Sequence, residues 1–518
     1  MALVQSYSEN MIWLLTIILA CGGNAISVPD TGETTTDSGP IDTGETTPVL
    51  EVDVLIIGSG PAGLTAAWEA RIAGASVLVL ERDEKAGGGG FMASNLFAVG
   101  TRHQQAEGVQ DSPELATSEW ADFTRGGDAS DPWVQRLIYE SAGILNWLID
   151  EIGSDMIDLR SDPSAGQVRR VHSVSLGTKH PLHTIAQGLE QETWLFHEAT
   201  ALVLGNNRIL GAQFEDLRTG ETGWIQAQET IIATGGFARD RDRLLEDRPE
   251  VAELTVLYET HHLADGGGVA LLEQAAASKQ NPGSFGLYTH AIADWRQGME
   301  NEALWLPMIR QSLIVDLNGN RVANEFEAHG FGLQDALLAA PEQRLVALYP
   351  ESTWLNQDIT IPTYNFDETQ QKTLDRQDAL DQEAAFSHAT LDQVASHWNM
   401  NLTELTQTLA NYETAVSNSE DIEFGKAPQD LVSFGSDPIT SVELFLGAAK
   451  AFGGAELDTL ARVLDANGEV IDGLWAAGEA AGMLGTPAVG GGFSGSVTAC
   501  YLTGRVAGQN AAAAALAD

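Results

Sequence analysis

The sequence predicts an α/β fold whose core is a buried parallel sheet, and three observations support this. Residues 53–57 (DVLII) form an apolar run that is typical of a buried strand, and the glycine-rich turn GSGPAG follows at once at 58–63. Residues 64–73 have the composition and spacing of a helix. A second apolar run, residues 76–80, ends at Glu81. Strand, turn, helix and strand in this order indicate a βαβ unit.

The glycines of this turn each have a separate physical role. Gly58 permits the tight turn, Gly60 lets a pyrophosphate approach the backbone, and Gly63 lets helix and strand pack closely. Free N–H groups at the helix N-terminus favour phosphate, and Glu81 can accept hydrogen bonds from a ribose diol. The unit therefore predicts a dinucleotide site. We assign Gly58, Gly60, Pro61, Ala62, Gly63 and Glu81 to it.

The first 21 residues resemble a bacterial lipoprotein signal. Residues 11–20 are apolar but too short to span a bilayer, and residues 18–21 (ILAC) resemble a lipobox ending at Cys21. The preceding residues lack Lys and Arg and include Glu9, which is atypical of a signal. We expect export with a lipid anchor at Cys21 as the only membrane contact, and a cytoplasmic protein if the run is not a signal. Residues 22–49, which contain DTGETT twice, predict a disordered acidic spacer.

Acidic residues dominate the composition. Asp and Glu number 73 against 27 Lys and Arg, which gives a net charge of -46. Such a field repels nucleic acid, so we expect no nucleic-acid partner. Adaptation to high salt, a cationic partner and an ordinary solvated acidic surface all explain it. The two cysteines form no CxxC pair, and no His/Cys cluster has metal-ligand spacing, so we expect no metal site.

Residues 82–90 (RDEKAGGGG) add a glycine-rich loop directly after Glu81. Together with residues 53–81 it resembles the fumarate reductase/succinate dehydrogenase flavoprotein family. Later segments resemble the same family in the expected order: EATA at 198–201, TIIATGG at 230–236, GNRVANE at 319–325, GLWAAGE at 473–479, and the glycine-rich start of the last helix at 490–508. The resemblance implies a Rossmann-like FAD-binding domain, residues 50–285 and 435–518, with an inserted α+β capping domain at 286–434 that contains helical stretches such as 391–416.

The resemblance also implies that FAD is the cofactor and extends its site beyond the first turn. Residues 198–201 would meet the adenine, residues 473–479 would supply a glutamate, and the last helix would point its N-terminus at the flavin. There it would stabilise the negative charge of the reduced ring. The residues implied in this way are Arg82, Gly88, Gly89, Gly90, Ala201, Ala233, Thr234, Gly235, Gly478, Glu479, Ser494, Ser496 and Val497.

The substrate end departs from the pattern that fumarate chemistry needs. His290 keeps a family histidine, and His329 stands where relatives carry the proton-donating arginine. The substrate histidine is lost, with Lys450 nearby, and the carboxylate-binding arginine falls at Gly491 or Gly492. Glycine cannot replace the two charge-assisted bonds of an arginine fork. We therefore expect hydride transfer to or from a C–C or C=C bond of a small molecule other than fumarate or succinate. His290, His329 and Lys450 are the expected catalytic residues.

Two alternative functions stay open. In one, the chain keeps FAD but has a degenerate substrate site and acts as an electron-transfer or redox binding protein. In the other, it is a fumarate reductase-like enzyme. The chain contains no CxxCH haem motif, so electrons would pass to or from a separate partner such as a quinone or a cytochrome. A ketosteroid dehydrogenase is disfavoured because residues 438–442 (PITSV) lack the expected tyrosine. We expect Cys500 to be a packed core residue and His261-His262 to belong to a turn.

Overall fold

The computed structural model describes most of the chain from residue 48 onwards. The described residues are 48–93, 95–124, 126–161, 166–175, 179–283, 285–296, 298–299, 301–306, 309–325, 331–356, 359–360, 373–482 and 496–517. The predicted signal with Cys21, most of the predicted spacer, His329, Gly491, Gly492 and Ser494 lie outside them. What the sequence predicts for those residues stays a prediction.

The strands are β1 Leu50–Ile57, β2 Val77–Leu80, β3 Asn95–Phe97, β4 Met156–Arg160, β5 Val171–Val174, β6 Thr193–Trp194, β7 His197–Gly205, β8 Arg208–Asp216, β9 Glu221–Ile232, β10 Val256–Tyr258, β11 Lys279–Gln280, β12 Phe285–Ala293, β13 Ala303–Trp305, β14 Leu313–Asp316, β15 Leu345–Pro350, β16 Ile359–Thr360, β17 Thr373–Leu374, β18 Phe386–His388, β19 Ile439–Ala451, β20 Gly454–Ala455, β21 Arg462–Leu464 and β22 Val470–Ala476.

The α-helices are α1 Pro61–Ile72, α2 Arg102–Ala106, α3 Pro113–Phe123, α4 Pro132–Asp150, α5 Pro181–Gly188, α6 Arg241–Asp247, α7 Gly267–Gln274, α8 Phe331–Ala339, α9 Glu351–Leu355, α10 Arg376–Asp381, α11 Leu391–Trp398, α12 Leu402–Asn418 and α13 Ser496–Ala515. None of the helices in the described part of the chain is long and apolar enough to cross a bilayer.

The first sheet contains the predicted βαβ unit. Its strand order is β21-β22-β9-β1-β2-β6. Off this path, β8 pairs with β9, and β7 pairs with β8. The pairs from β22 to β6 are parallel, which fits the continuous burial of β1 from residue 54 to 57. The glycine turn leads directly from β1 into α1. This arrangement confirms the predicted α/β class with a Rossmann-like core.

Helix α13 packs against α1 at very short range. A Cβ atom at Gly504 would lie 2.4 Å from the carbonyl oxygen of Ala62, and one at Gly508 would lie 2.3 Å from that of Ala66. Two glycines four residues apart lie on the same helix face, so the two backbones can approach each other there. The close crossing places the start of α13 beside the turn that follows β1.

A second sheet lies in the part of the chain between β9 and α13. Its order is β14-β15-β19-β12-β13-β16-β17, and β10 and β18 also pair with β19. Strand β19 is therefore the centre of this sheet and runs for 13 residues. Helices α8 to α12 lie between β14 and β19 in the sequence. This mixed sheet with helices confirms the predicted α+β capping domain, although β10 and β19 come from outside residues 286–434.

A buried ionic cluster stabilises the GNRVANE segment of the cap. Arg321 contacts Glu325 at 2.8 Å and Asp421 at 2.9 Å, and Lys426 contacts Glu325 at 3.3 Å. All four side chains are almost fully buried. Because burying such charges requires paired partners, the cluster holds the segment after β14 against the residues after α12.

Local backbone geometry corrects one sequence prediction in the cap. The stretch 391–416, expected to be helical, is two helices, α11 and α12. Asn399 ends α11 in the left-handed conformation (φ 54, ψ 41), and the Asn401 side chain accepts the N–H groups of Thr403 and Glu404 to begin α12. Asparagine tolerates both roles, which explains the break.

Candidate active site

A cavity of about 500 Å³ lies at the carboxyl ends of the parallel strands β1, β2 and β9 and extends to the second sheet. Most of the residues assigned from the sequence line it. These are Gly58, Gly60, Pro61, Ala62, Glu81, Arg82, Gly88, Gly89, Gly90, Ala233, Thr234, Gly235, Gly478, Glu479, Ser496, Val497, His290 and Lys450. Ala201 does not line the cavity, and Ala199 of the same strand does. Ligands of open α/β sheets bind at this edge.

The glycines of the first turn show how this end of the cavity fits a pyrophosphate. A Cβ atom at Gly63 would lie 1.9 Å from the Gly58 carbonyl oxygen, so Gly63 shapes the turn although it does not line the cavity. Gly58 has φ +98, and its Cβ would lie 2.6 Å from the carbonyl oxygen of Ala233. A Cβ at Gly60 would have no atom within 4 Å. Gly60 therefore keeps space for a ligand, while its two neighbours serve the fold.

Glu81 and Arg82 fix the loops around the ribose end. The Glu81 carboxylate accepts hydrogen bonds from the Ser59 backbone N–H at 2.9 Å and hydroxyl at 2.5 Å, and from the Asp83 backbone N–H at 2.8 Å. Arg82 donates to Glu198 at 3.1 Å and to Asp265 at 2.7 Å. Glu81 therefore ties the end of β2 to the first turn, and Arg82 ties it to β7 and to the loop before α7.

His261 lines the cavity and also belongs to a turn, as the sequence indicates. Its Nδ1 accepts the Leu263 N–H at 3.3 Å, and its Nε2 lies 3.2 Å from the Asp83 carboxylate. Burial and the adjacent His262 lower the pKa of His261 to about 4, so its ring is neutral at neutral pH. Asp83, His261 and His262 offer metal-ligand atoms within 4.8 Å of one another. However, both nitrogens of His261 already have partners, which favours a structural role for the turn.

Lys450 and Glu479 both line the cavity near α13, and each affects the pKa of the other. Burial raises the pKa of Glu479 to about 7, although Lys450 and a hydrogen bond from the Gly236 backbone both oppose this. Burial lowers the pKa of Lys450, but Tyr288 and Glu479 outweigh it, so the net pKa lies above its ordinary value. Lys450 is therefore a cation inside the cavity and not a surface lysine.

His290 is held by two residues that the sequence analysis missed. Its Nε2 lies 3.1 Å from Glu259 Oε2, which also accepts the Trp305 indole N–H at 2.8 Å. The Glu259 side chain is fully buried, and the His290 ring stacks on Tyr288 with centroids 5.5 Å apart. All four residues line the cavity. Tyr288 could have been found because it precedes His290 by two positions on the same strand and so shares its face. Glu259 and Trp305 carried no such signal.

Cys500 packs against the hydrophobic core, as expected, and also faces the cavity. It lies in the first turn and a half of α13. Burial raises the pKa of its thiol, and Glu479 adds to the effect. The thiol is therefore protonated at neutral pH.

The glycine cradle beside a helix N-terminus forms one end of the cavity, and Glu259, Tyr288, His290, Trp305 and Lys450 line the other end, which is the chamber. Such a site is that of a dinucleotide-dependent oxidoreductase. Comparison with known proteins defines the kind. The FAD binding domain family matches residues 53–494, so the chain belongs to that family. The cofactor is FAD, and the protein is an FAD-dependent reductase of the fumarate reductase family.

Two relatives and one solved structure illustrate the similarity. The chain is 27% identical to a probable fumarate reductase, Ifc3, of Shewanella frigidimarina, over 90% of this chain and 76% of the relative. It is 26% identical to the vinyl phenol reductase of Lactiplantibacillus plantarum, over 89% of this chain and 96% of the relative. The structure of an open flavocytochrome c3 fumarate reductase superimposes with a TM-score of 0.70 at 25% identity and covers 90% of this chain and 79% of that chain.

Proposed function

We propose that this enzyme reduces the C=C bond of a small unsaturated substrate that carries no more than one carboxylate. The observation that carries the proposal is the charge of the chamber. Among the described lining residues, the Lys and Arg side chains are Arg82 and Lys450. Arg82 is bound to Glu198 and Asp265 at the ribose end. Lys450 is then the one such cation that the described chamber offers to a substrate.

A second carboxylate would enter an unfavourable field. Glu259 is a fully buried carboxylate in the same chamber, and Glu479 adds a further acid beside Lys450. Like charges repel strongly where water is excluded, so a dianion meets one cation and two acids. Lys450 suits a single carboxylate or a carbonyl, and the rings of Tyr288 and Trp305 suit a flat unsaturated group. These features favour a mono-acid or neutral alkene over fumarate.

Bound FAD would supply the hydride in this reaction. The residues that would hold FAD are those of the glycine turns, Glu81, Arg82 and the start of α13. We propose that His290 and Lys450 shape the substrate chamber; His329, which the sequence also predicts to be catalytic, lies outside the described residues. Electrons would come from a separate carrier, such as a quinone or a cytochrome.

The test is reoxidation of the reduced flavin without oxygen. The purified holoenzyme would be reduced and mixed with fumarate, acrylate, urocanate or 4-vinylphenol while the flavin absorbance is followed. We expect at least one of the last three to reoxidise the flavin roughly 100-fold faster than fumarate does. Fumarate as the fastest oxidant would contradict the proposal, and four inert compounds would favour the electron-transfer alternative.

Two histidine variants sharpen the same experiment. His290→Ala should slow reoxidation by the active alkene while FAD stays bound, because the residue lines the chamber. His397→Ala is the matched control, since His397 packs on Phe386 in the cap and does not line the cavity. Equal rates in both variants would remove His290 from the site.

We also propose that the protein is exported and anchored to a membrane by a lipid on Cys21. The support is the lipobox-like sequence at 18–21 followed by the Thr- and Asp-rich residues 22–49. Cys21→Ser should move the protein from the membrane fraction to the soluble fraction of the producing cell. A protein whose fractionation does not change would contradict the anchor.

A further inference from the structure

We propose that Tyr288, which lies beside Lys450 in the cavity, is the group that donates the proton to the substrate carbon. This inference rests on the proposed function, because it assigns the acid for reduction of a C=C bond. Lys450 and His290 remain part of the chamber. In this inference Lys450 stabilises the phenolate, and His290 positions the tyrosine ring.

The first observation is the place of the tyrosine hydroxyl. Tyr288 and Lys450 lie on the paired strands β12 and β19 and line the same cavity. Gly286 stands opposite Lys450, and its missing side chain leaves the space that both groups use. A Cβ atom there would lie 3.3 Å from Lys450 Cβ and 3.5 Å from the Tyr288 hydroxyl. The hydroxyl therefore lies over Gly286, beside the base of the lysine side chain.

The second observation is the contact between the two side chains. Lys450 faces both Tyr288 and Glu479 in the cavity. These two neighbours outweigh the effect of burial, so the pKa of Lys450 lies above its ordinary value and its side chain is an ammonium. An ammonium beside a phenol stabilises the phenolate that remains after proton donation. The pair thus meets the main requirement of a tyrosine acid.

The third observation is that the Nε2 atom of His290 is engaged with Glu259. Its Nε2 faces Glu259, and the residue is 3% exposed. Its ring stacks on that of Tyr288 with an interplanar angle of 21°. Glu259 thus fixes the imidazole, and the imidazole supports the phenol ring from one face. His290 and Glu259 are positioning residues in this arrangement.

The chemical step balances as follows. After the hydride from reduced FAD has reached one carbon of the double bond, the other carbon carries the electron pair. That pair forms a C–H bond with the Tyr288 hydroxyl proton, and the electrons of the broken O–H bond stay on the phenolate oxygen. Lys450 stabilises this charge and passes on a proton, which water then replaces. The substrate gains two electrons and two hydrogens: one hydrogen would arrive as the hydride that reduced FAD supplies, and the other is the Tyr288 proton.

The test uses the holoenzyme with four variants. Tyr288→Phe removes the hydroxyl, Lys450→Met removes the charge, and Lys450→Arg restores the charge in another shape. Tyr258→Phe is the matched control, because Tyr258 lies in β10 under Arg239, with 4.5 Å between guanidinium and ring, and does not line the cavity. The probes are acrylate, urocanate and 4-vinylphenol for reoxidation of the reduced flavin, with O₂ as an oxidant that needs no acid from the chamber.

A spectroscopic titration gives a readout that a merely structural role would not change. Tyrosine ionisation is followed in the ultraviolet difference spectrum as pH rises. Burial raises the pKa of Tyr349 to about 12 and also raises those of Tyr412 and Tyr501, so these three do not interfere. We expect one ionisation step that is present in the wild type and in Tyr258→Phe and absent from Tyr288→Phe. In Lys450→Met it should move to higher pH.

The kinetic result should follow the same pattern. Tyr288→Phe and Lys450→Met should slow alkene-dependent reoxidation by a factor of about 10² or more, and O₂ reoxidation should change little. Lys450→Arg should recover part of the rate. If an alkene reoxidises Tyr288→Phe at the wild-type rate, this inference is wrong and the proposed function stands. An ionisation step that Lys450→Met does not move also overturns it. If no alkene reoxidises the wild type, both proposals are wrong.

Discussion

Glu479 is a carboxyl that lines the cavity and has a raised pKa. Burial raises its pKa to about 7 from an ordinary value of 4.5. A carboxyl with a raised pKa stabilises the folded state below pH 4.5, and this contribution is lost as pH rises through 7. The free energy of unfolding of the FAD-free chain should therefore fall over this range by more than it does in Glu479→Gln.

Urea unfolding of the FAD-free chain at several pH values between about 4.5 and 8 would measure this difference. Subtracting the variant from the wild type removes the effect of the other acidic groups, which both proteins share. Glu140→Gln is the control, because Glu140 is an exposed helix residue paired with Arg136. Identical slopes in wild type and Glu479→Gln would show that the Glu479 pKa is not raised.

Glu259 gives a second prediction at the scale of one side chain. In Glu259→Ala the buried N–H groups of Trp305 and His290 lose their shared acceptor. Leaving a buried donor without a partner costs about 1–3 kcal/mol, so the free energy of unfolding should fall by at least that amount. Glu140→Ala, which breaks an exposed pair, should cost less than about 0.5 kcal/mol. Comparable losses in the two variants, measured in urea, would contradict the role of Glu259.

The sequence predicted some of these residues because of where they lie relative to motifs. His290 and Lys450 stand at or near family active-site positions, and both line the cavity. Glu259 follows β10, and Trp305 is the last residue of β13. Only the pairing of strands in the second sheet brings these two residues to the same chamber. No local pattern encodes that proximity, because it depends on the order of strands along a sheet.

At the scale of elements, the β1–α1 turn separates two kinds of glycine. Gly63→Ala places a methyl group 1.9 Å from the Gly58 carbonyl, so α1 must move away from β1. Such overpacking costs about 1–3 kcal/mol or more. Gly60→Ala has no atom within 4 Å and should leave the FAD-free chain as stable as the wild type. It should still weaken FAD binding, because the methyl group occupies the space left for the pyrophosphate.

Urea unfolding of the FAD-free chain and titration with FAD separate the two effects. Gly63→Ala should lower both the free energy of unfolding and the affinity for FAD. Gly60→Ala should lower only the affinity for FAD. A Gly60→Ala variant that binds FAD like the wild type would place the pyrophosphate elsewhere. The sequence predicted this turn well because its strand, glycines and helix are contiguous, and the structure begins α1 at Pro61.

The cap was less predictable at this scale for a physical reason. Its helices are short, and the left-handed Asn399 divides a stretch whose hydrophobic pattern continues on both sides. Periodicity reports which face is buried and not where a backbone turns. The long strand β19 was not predicted from the sequence, and its partners β10, β12, β15 and β18 are distant from it in sequence.

For the whole molecule, the sequence predicted one part that binds FAD and a second part that caps the substrate. Contiguous motifs specify the FAD end, so the family resemblance extends over most of residues 53–494. Among the described residues, the chamber is lined by residues in or next to strands of the second sheet. Relatives that share the FAD end can differ there, and the sequence predicts that this chain lacks the arginine clamp that fumarate chemistry needs.

The net charge of -46 leads to a prediction for the whole molecule. Like charges destabilise a compact state through repulsion, and the screening length falls from about 30 Å at 0.01 M salt to about 3 Å at 1 M. The melting temperature of the holoenzyme near neutral pH should therefore rise by several degrees as KCl increases over this range. The rise should be smaller near pH 5, because the sequence pI is about 4.3 and the net negative charge is therefore smaller in magnitude there. A melting temperature that does not respond to KCl, or responds equally at both pH values, would show that repulsion between acidic side chains does not destabilise the folded state.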